Sequence, residues 1–195
     1  RQSHAGSAEI RLVIGDCQRA APSTGMPTKT GQSDLGMLAL GSTGDFPRIV
    51  LAPGEPGDCF ELSVLATNLS QRLQCPVYLC LDRAVAQDSV TVEPFDLAGV
   101  QIEEGKRLSA EDVASLEEYR RYSITDDGIS PWAVPGTPGG MSLVTGNERD
   151  EWGHVNTGAA NRKRMMDKRG RKIESMRDEL PRGRQWGEPD APIGL

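Results

Sequence analysis

Short apolar runs and one long amphipathic stretch alternate along the first half of the chain. Runs of apolar, largely β-branched residues predict buried strands at residues 10–14, 48–52 and 77–81. Between the last two runs a helix is predicted from Asp58, because apolar side chains recur there at helical spacing: Leu62, Leu65, Ala66, Leu69 and Leu73. Strand, helix and strand joined by short connections predict a right-handed βαβ unit. The expected fold class is therefore α/β, a partial parallel sheet with flanking helices.

Shorter elements are predicted around this unit. Ser33 is a candidate N-cap for a short helix that runs to Leu40, and Ser109 begins a second short helix with a capping-box pattern. Residues 127–140 are dense in proline and glycine, which predicts a loop of fixed shape. A short strand is predicted directly after it, at residues 141–145.

The chain ends in one more amphipathic element. Residues 161–180 predict a C-terminal helix whose stripe is interpreted as packing: Met165, Met166, Arg169, Ile173, Met176 and Leu180. The polar tail at residues 181–195 contains proline and glycine and is interpreted as a linker.

Composition and charge limit the class of protein. A chain of 195 residues with 37% hydrophobic and 26% charged residues can bury one good core. Its formal net charge of −6 argues against a nucleic-acid module, which usually has a basic excess on one face. No apolar segment reaches the length of a membrane span, and the first eight residues lack the apolar core of a secretory signal.

Four cysteines, Cys17, Cys59, Cys75 and Cys80, show neither a C-x-x-C pair nor metal-ligand spacing. The last three lie in apolar patterns, so they are expected to be buried reduced thiols, typical of a reducing cytoplasm. Cys17 is interpreted as a packed small residue. A redox role is the alternative, because the cation of Arg19 is close enough to activate its thiol.

The densest chemistry follows the first predicted strand, at residues 18–30. Small residues there leave room for a ligand against the backbone: Ala20, Ala21 and Gly25. Two prolines, Pro22 and Pro27, restrict the loop, so ordering it costs less entropy. The segment is rich in donors suited to a carboxylate or phosphate: Arg19, Ser23, Thr24, Thr28, Lys29 and Thr30. Because open α/β sheets bind ligands beyond the carboxyl ends of their strands, this segment is predicted to be an anion-recognition loop.

The same segment carries a resemblance. It contains the run Gln18-Arg19-x-x-Pro22-Ser23-Thr24-Gly25-Met26-Pro27-Thr28-Lys29-Thr30, and further motifs follow in order at residues 44–54, 127–140, 145–154 and 165–169. This set resembles the alpha subunit of 2-oxoacid:ferredoxin oxidoreductases, most closely the 2-oxoglutarate type. The resemblance implies that residues 8–180 are the C-terminal portion of a pyrimidine-binding thiamine diphosphate domain. It also implies that the chain is an internal fragment and that residues 181–195 lead to an absent domain.

The resemblance also implies roles for individual residues. Arg19 would bind the substrate carboxylate, and Thr24 and Thr28 would contact substrate. Ser23, Thr24 and Gly25 would contact the cofactor. From the residues alone, the alternative for Arg19 is an ion pair with Asp16 or Asp34, and the alternative for the hydroxyls is turn stabilisation. No catalytic residue is expected here, because the family's activating glutamate lies upstream.

The implied reaction is the oxidative decarboxylation of a 2-oxoacid with CoA to acyl-CoA and CO2, with reduction of ferredoxin. Thiamine diphosphate is the implied cofactor. A beta subunit would hold its diphosphate, Mg2+ and an iron–sulfur cluster, while ferredoxin and CoA would act through the complex. The alternatives are a catalytically inactive assembly module, another thiamine enzyme, and the same chemistry on pyruvate or branched-chain 2-oxoacids.

Two positions depart from the family pattern. Gly31 stands where the family frequently has glutamate, and Trp132 stands where it commonly has arginine. Residues 147–154 group five polar side chains: Asn147, Glu148, Asp150, Glu151 and His154. Their spacing fits neither a zinc signature nor a calcium loop, so a structural turn is predicted and no metal ligand is assigned.

Overall fold

A three-stranded parallel sheet lies at the centre of the computed structural model, which describes residues 1–183, 187–190 and 192. The strands are β1 (Leu12–Gln18), β2 (Ile49–Leu51) and β3 (Pro76–Asp82), in the spatial order β1-β3-β2. In chain order the helices are α1 (Gln2–Ser7), α2 (Leu35–Leu40), α3 (Pro56–Leu73), α4 (Arg83–Gln87), α5 (Ala110–Ser115) and α6 (Ala159–Glu174). The predicted α/β class, with a central strand at residues 77–81, is confirmed.

The first strand lies later in the chain than its apolar run predicts. Ile10 is outside it, because the Ile10 amide donates to the Ala5 carbonyl at the end of α1. The ladder starts where Leu12 pairs with Pro76 and continues to Gln18, opposite Asp82. Backbone pairing with the long central strand therefore extends β1 through polar residues that the hydrophobic pattern alone excludes.

One face of the sheet is covered by α3. Val13 of β1 and Val77 of β3 pack with the helix side chains predicted for this face, Ala66, Leu69 and Leu73 among them. The helix begins before the predicted Asp58, because Glu55 is the N-cap and Asp58 completes a capping box from the third helical position. Pro56 occupies the first turn, where its missing N–H costs nothing.

The opposite face of the sheet packs against α2. Leu38 of this helix is buried with Tyr78 and Cys80 of β3. The predicted N-cap Ser33 is wrong, since Asp34 is the residue before the helix and its side chain makes no capping hydrogen bond. The Asp34 amide is satisfied instead by a side chain of the sheet, so tertiary contact sets this helix start.

The second half is largely irregular but well anchored. Two short parallel strands, β4 (Arg107–Leu108) and β5 (Trp132–Ala133), pair beside α5, whose predicted capping box between Ser109 and Asp112 is confirmed. The predicted strand at residues 141–145 is wrong. No strand forms there in the described chain, and the apolar residues Met141, Leu143 and Val144 are exposed. Among the described residues no strand pairs with this segment, so its local β-propensity alone does not produce one.

The C-terminal amphipathic helix is confirmed as α6, although it ends at Glu174. Met165 and Met176 are buried as predicted. The same face also buries two lysines that the pattern does not identify, Lys168 and Lys172, both with 0% side-chain exposure. Of the predicted linker, residues 184–186, 191 and 193–195 lie outside the described residues. No helix in the described chain is long and apolar enough to cross a membrane.

The buried lysines share one carboxylate. Lys168 Nζ lies 2.6 Å from Glu9 Oε1, and Lys172 Nζ lies 2.6 Å from Glu9 Oε2. Burial alone would raise the pKa of Glu9, but the two ammonium groups and Arg121 outweigh it and hold the pKa well below its usual range. Glu9, Lys168 and Lys172 are called the Glu9 triad below.

We expect Glu9→Gln to destabilise the fold by about 3–5 kcal/mol, because it leaves two buried ammonium groups without a counter-charge. Urea denaturation followed by circular dichroism measures this. Since the folded-state pKa of Glu9 is depressed, its contribution is full above the ordinary value of 4.5 and is lost as the pH falls below it. The variant should lack that part of the acid dependence.

Asp167→Asn is the matched control, because Asp167 pairs with the exposed Lys163 at 2.6 Å on the same helix. It should cost less than about 1 kcal/mol. Equal losses for the two variants would contradict a stabilising role for the Glu9 triad.

Candidate functional site

The carboxyl end of β1 carries the predicted anion-recognition loop, residues 19–31. The last strand residue, Gln18, is buried and fixes both ends of this region. Its Oε1 accepts a hydrogen bond from the Asp34 amide at 2.8 Å, and its Nε2 donates to Cys80 Sγ at 2.9 Å. The side chain therefore ties the returning end of the loop to the central strand. The sequence signal for this anchor is weak, since Gln18 is a lone polar residue just outside the apolar run.

The loop is closed by its own backbone. The Ala20 amide donates to the Lys29 carbonyl at 3.1 Å, and the Met26 amide donates to the Ala20 carbonyl at 2.9 Å. Gly25 has a φ of 48°, and a Cβ there would lie 2.2 Å from the Ala20 oxygen. Only glycine fits that close approach without a shift of the backbone. The loop is thus a compact, self-bonded unit at the end of the sheet.

Gly31 has a structural reason for its departure from the resembling family. A Cβ at this position would lie 2.8 Å from the Ala20 Cα and 2.8 Å from the Ala20 nitrogen. A glutamate cannot occupy this position while the loop keeps its present shape. Glycine at position 31 therefore allows the two ends of the loop to approach closely.

The loop presents its polar side chains to solvent. Arg19, Ser23, Thr24, Thr28 and Lys29 are all exposed. Within the described part of the chain, none of them forms a side-chain hydrogen bond or an ion pair. The alternative ion pair of Arg19 with Asp16 or Asp34 is therefore not formed, and neither is turn stabilisation by the three hydroxyls. Their roles toward substrate and cofactor remain predictions.

The carboxylates near the loop do not pair with its cations. One accepts hydrogen bonds from other groups, and another has a raised pKa. Burial and the neighbouring Asp34 carboxylate raise the pKa of Asp16. Asp82, at the end of β3, caps α4 by accepting from the Val85 amide, and it also accepts from Gln32 Nε2 at 2.8 Å. The hydrogen bond from Val85 lowers the pKa of Asp82. The arrangement leaves the two loop cations, Arg19 and Lys29, available to an anion from outside.

The exposed donors of this loop are of the kinds that bind an anion or the polar atoms of a ring. The hydroxyls of Ser23 and Thr24 are free to bond outward, and Gly25 brings backbone to the surface without a side chain in the way. Among the described residues, no group of three His, Cys, Asp or Glu side chains is arranged to hold a metal ion. What the loop can do chemically is orient a carboxylate and donate hydrogen bonds to a neighbouring ring.

Residues 147–154 form the predicted structural turn. Asp150 Oδ1 accepts from the amides of Trp152, Gly153 and His154, at 2.9–3.1 Å. Burial would raise the pKa of Glu148, but hydrogen bonds from two arginines of α6 lower it to about 2. The polar groups of this segment are thus taken up in holding α6.

A cation lies over the indole ring of Trp132. The Arg11 guanidinium lies 3.2 Å from the centroid of the Trp132 ring, and the indole Nε1 donates to the Glu104 carbonyl at 3.2 Å. A guanidinium is therefore present near this position although the family's arginine is replaced. Sequence reasoning missed Arg11, because it lies 121 positions earlier in the chain.

A large groove lies away from the loop. A groove of about 1010 Å³ runs between the start of α3 and residues 90–101, with Phe60 stacked on Phe95 at 4.4 Å. Its charged lining residues are all acidic: Glu55, Asp58, Glu61, Glu93 and Asp96. This lining disfavours a carboxylate, so the loop is the better candidate for an anionic ligand.

Comparison with known proteins agrees with the loop motifs. Residues 3–167 match the family described as pyruvate flavodoxin/ferredoxin oxidoreductase, thiamine diphosphate-binding. A 2-oxoacid:ferredoxin oxidoreductase alpha subunit of Sulfurisphaera tokodaii is 36% identical over 179 residues, which cover 91% of this chain and 28% of that subunit. The subunit KorA of a 2-oxoglutarate oxidoreductase of Mycobacterium tuberculosis is 32% identical over 199 residues, covering 95% of this chain and 30% of that subunit.

A solved structure gives the same picture. The 2-oxoglutarate:ferredoxin oxidoreductase of Magnetococcus marinus, with 2-oxoglutarate, coenzyme A and succinyl-CoA bound, superposes with a TM-score of 0.82 at 36% identity. The match covers 91% of this chain and 31% of that one. The resemblance and the fold class inferred from the sequence are confirmed. The chain spans 28–31% of the length of these three relatives.

We expect Gln18→Met to cost about 1–3 kcal/mol of stability, because it leaves the partly buried Asp34 amide without its acceptor. Hydrogen exchange should show faster exchange of that amide, and urea denaturation gives the free-energy loss. Gln32→Met is the matched control, since it removes an exposed hydrogen bond to Asp82 that water can replace. If both variants protect the Asp34 amide equally, Gln18 is not the anchor.

Proposed function

The chain belongs to the thiamine diphosphate-binding family of pyruvate flavodoxin/ferredoxin oxidoreductases, and we propose that it positions a 2-oxoacid beside that cofactor in an alpha subunit. The proposed overall reaction converts a 2-oxoacid and CoA into acyl-CoA and CO2 while ferredoxin is reduced. Residues 8–180 are proposed as the C-terminal portion of the pyrimidine-binding domain, and residues 181–195 as the connection to a following domain.

The observation that carries this proposal is the exposed Arg19 at the carboxyl end of β1. Its guanidinium has no carboxylate partner in the described chain, although Asp16 and Asp34 are close in sequence. A planar guanidinium donates two parallel hydrogen bonds to a carboxylate and so fixes its orientation. A 2-oxoacid carries that carboxylate next to its reacting carbonyl, so holding one group aims the other.

The other loop residues take supporting roles in this proposal. When bound, thiamine diphosphate would supply a carbon nucleophile and an acceptor for the electrons of the broken bond. Ser23, Thr24 and Gly25 would hold it with hydroxyls and bare backbone, while Thr24 and Thr28 would also contact the substrate. The self-bonded loop holds these groups in place before the substrate arrives, which lowers the entropy lost on binding.

We propose 2-oxoglutarate as the substrate. This molecule has two carboxylates, and the loop presents two exposed cations, Arg19 and Lys29. The Magnetococcus marinus relative was solved with 2-oxoglutarate, and the Mycobacterium tuberculosis relative is named for it. Pyruvate and branched-chain 2-oxoacids lack the second carboxylate, so they serve as comparison substrates in the assay.

Exposed apolar side chains lie in and beside the loop. Four of them are more than half exposed: Met26, Leu35, Met37 and Leu40. Apolar exposure of this kind next to a candidate site is typical of a protein–protein interface. We propose that the beta subunit covers this surface and supplies the diphosphate site, Mg2+ and the iron–sulfur cluster, and that ferredoxin and CoA act through the complex.

The first test is reconstitution. We expect 2-oxoglutarate- and CoA-dependent reduction of ferredoxin only when this chain, within its full-length alpha subunit, is combined with a beta subunit, thiamine diphosphate and Mg2+. Omission of each component in turn is the control. A complex that forms but remains inactive with every 2-oxoacid would favour the alternative of an assembly module.

The second test concerns Arg19 in the assembled enzyme. Arg19→Lys keeps the charge but loses the two-pronged geometry. Loss of a charge-assisted contact costs about 1.5–3 kcal/mol, which lowers kcat/KM roughly ten- to a hundredfold at about 1.4 kcal/mol per decade. Arg19→Ala should lose more. Cofactor affinity should change little, because the diphosphate is held elsewhere.

Arg83→Lys is the matched control, since Arg83 lies at the same end of the sheet but outside the loop. Its kcat/KM should equal that of the unsubstituted enzyme. Unchanged catalysis in both Arg19 variants, together with a lowered melting temperature, would end the carboxylate-binding proposal.

A further inference from the structure

Cys17 lies on the face of the sheet that α3 covers. Val13, four residues earlier in β1, packs into the core beneath α3, and side chains alternate between faces along a strand. Cys17 therefore points to the same side as Val13. It pairs with Leu81 near the carboxyl end of the central strand, so it marks the last α3-facing position of β1.

Cys59 lies near the start of α3, on the face of the helix that packs on the sheet. It precedes Leu62 by three residues and Ala66 by seven, so it belongs to the helix stripe that packs on the sheet. The helix starts at the carboxyl end of the sheet, because only residues 52–55 separate it from the end of β2. Cys17 and Cys59 thus lie at the same open end of one strand–helix interface.

Exposure separates these two thiols from the other pair. Cys17 is exposed and Cys59 partly exposed, whereas Cys75 and Cys80 are buried, and all four are free. The predicted packing of Cys17 is therefore wrong: α3 begins beside this end of β1 and leaves its last position open. Burial, Asp58 and the charge of a Cys17 thiolate raise the pKa of Cys59, as expected for neighbouring thiols.

We propose that Cys17 and Cys59 form an intramolecular disulfide on exposure to a peroxide. The exposed Cys17 thiolate attacks the peroxide and becomes a sulfenic acid with release of one water or hydroxide. The Cys59 thiolate then attacks that sulfur, forming the S–S bond and releasing the second water. Two thiols and one hydrogen peroxide thus give one disulfide and two waters, with two electrons passing from sulfur to the peroxide.

The bond would join β1 to the start of α3 two residues before Arg19. Both cysteines lie on rigid elements, so little chain entropy opposes the closure. The link would restrict the strand end from which the loop at residues 19–31 emerges. This modification is independent of whether the loop binds a 2-oxoacid.

Peptide mapping of the full chain tests the disulfide directly. The folded chain is treated with hydrogen peroxide, its remaining thiols are alkylated in denaturant, and a tryptic digest is analysed without reduction. We expect a linked pair of peptides 12–19 and 49–72, lighter by two hydrogens than their sum and separated by a reductant. Peptide 73–83, with Cys75 and Cys80, should carry two alkyl groups, because both side chains are buried and shielded from the peroxide.

Cys17→Ser and Cys59→Ser serve as matched variants. Each should abolish the linked pair, and Cys59→Ser should leave a singly oxidised Cys17. Hydrogen exchange of residues 12–19 should slow on oxidation of the unsubstituted chain and be unchanged in both variants. Disulfides only between molecules on a non-reducing gel, or equal oxidation of all four cysteines, would overturn the proposal.

Discussion

One buried carboxylate joins the two ends of the described chain. Glu9 lies between α1 and β1 and binds both Lys168 and Lys172 of α6, 159 or more residues away. Lys172 also donates to the Gln74 carbonyl at the end of α3, while Arg121 donates to the Glu9 carbonyl at 2.9 Å. Four separate segments therefore meet at charges that cannot be left unpaired. Removing any member exposes the others to the full cost of a buried ion.

The two ends of β1 differ in how their polar groups are used. Near the amino end, Glu9 pairs with two lysines of α6, and Arg11 stacks on Trp132. At the carboxyl end, Gln18 anchors the loop while Arg19 and the loop hydroxyls remain exposed. The charges of the Glu9 triad are paired within the fold, whereas Arg19 and the loop hydroxyls bond to no other described residue. This difference is the physical basis of the proposed substrate role.

Two chain-specific residues show how local changes are accommodated. Gly31 lets the two ends of the loop approach closely, because a Cβ there would lie 2.8 Å from the Ala20 Cα. At position 132 a tryptophan receives the Arg11 guanidinium on its face instead of supplying a guanidinium itself. The glycine fits a close backbone contact within the loop, and the tryptophan leaves a cation near position 132. Neither outcome follows from residue type alone, because both depend on a neighbour brought in by the fold.

The sequence by itself determined the features that depend on short-range pattern. The central strand, the α3 stripe and the capping box at Ser109 each follow from periodicity or from side chains three residues apart. The loop at residues 19–31 and its family followed from a sequence motif.

The features that depend on long-range contacts were decided by the tertiary structure alone. A sequence pattern assigns Lys168 and Lys172 to the polar positions of the helix. They are buried because Glu9, which is distant in sequence, supplies their counter-charge. Residues 141–145 have strand propensity but pair with no strand of the described chain, and β1 extends through polar positions because β3 continues beside it. The extent of a strand depends on the strand it pairs with, and the burial of a charge depends on its counter-charge. Both partners are distant in sequence, so a sequence pattern does not reveal where they lie.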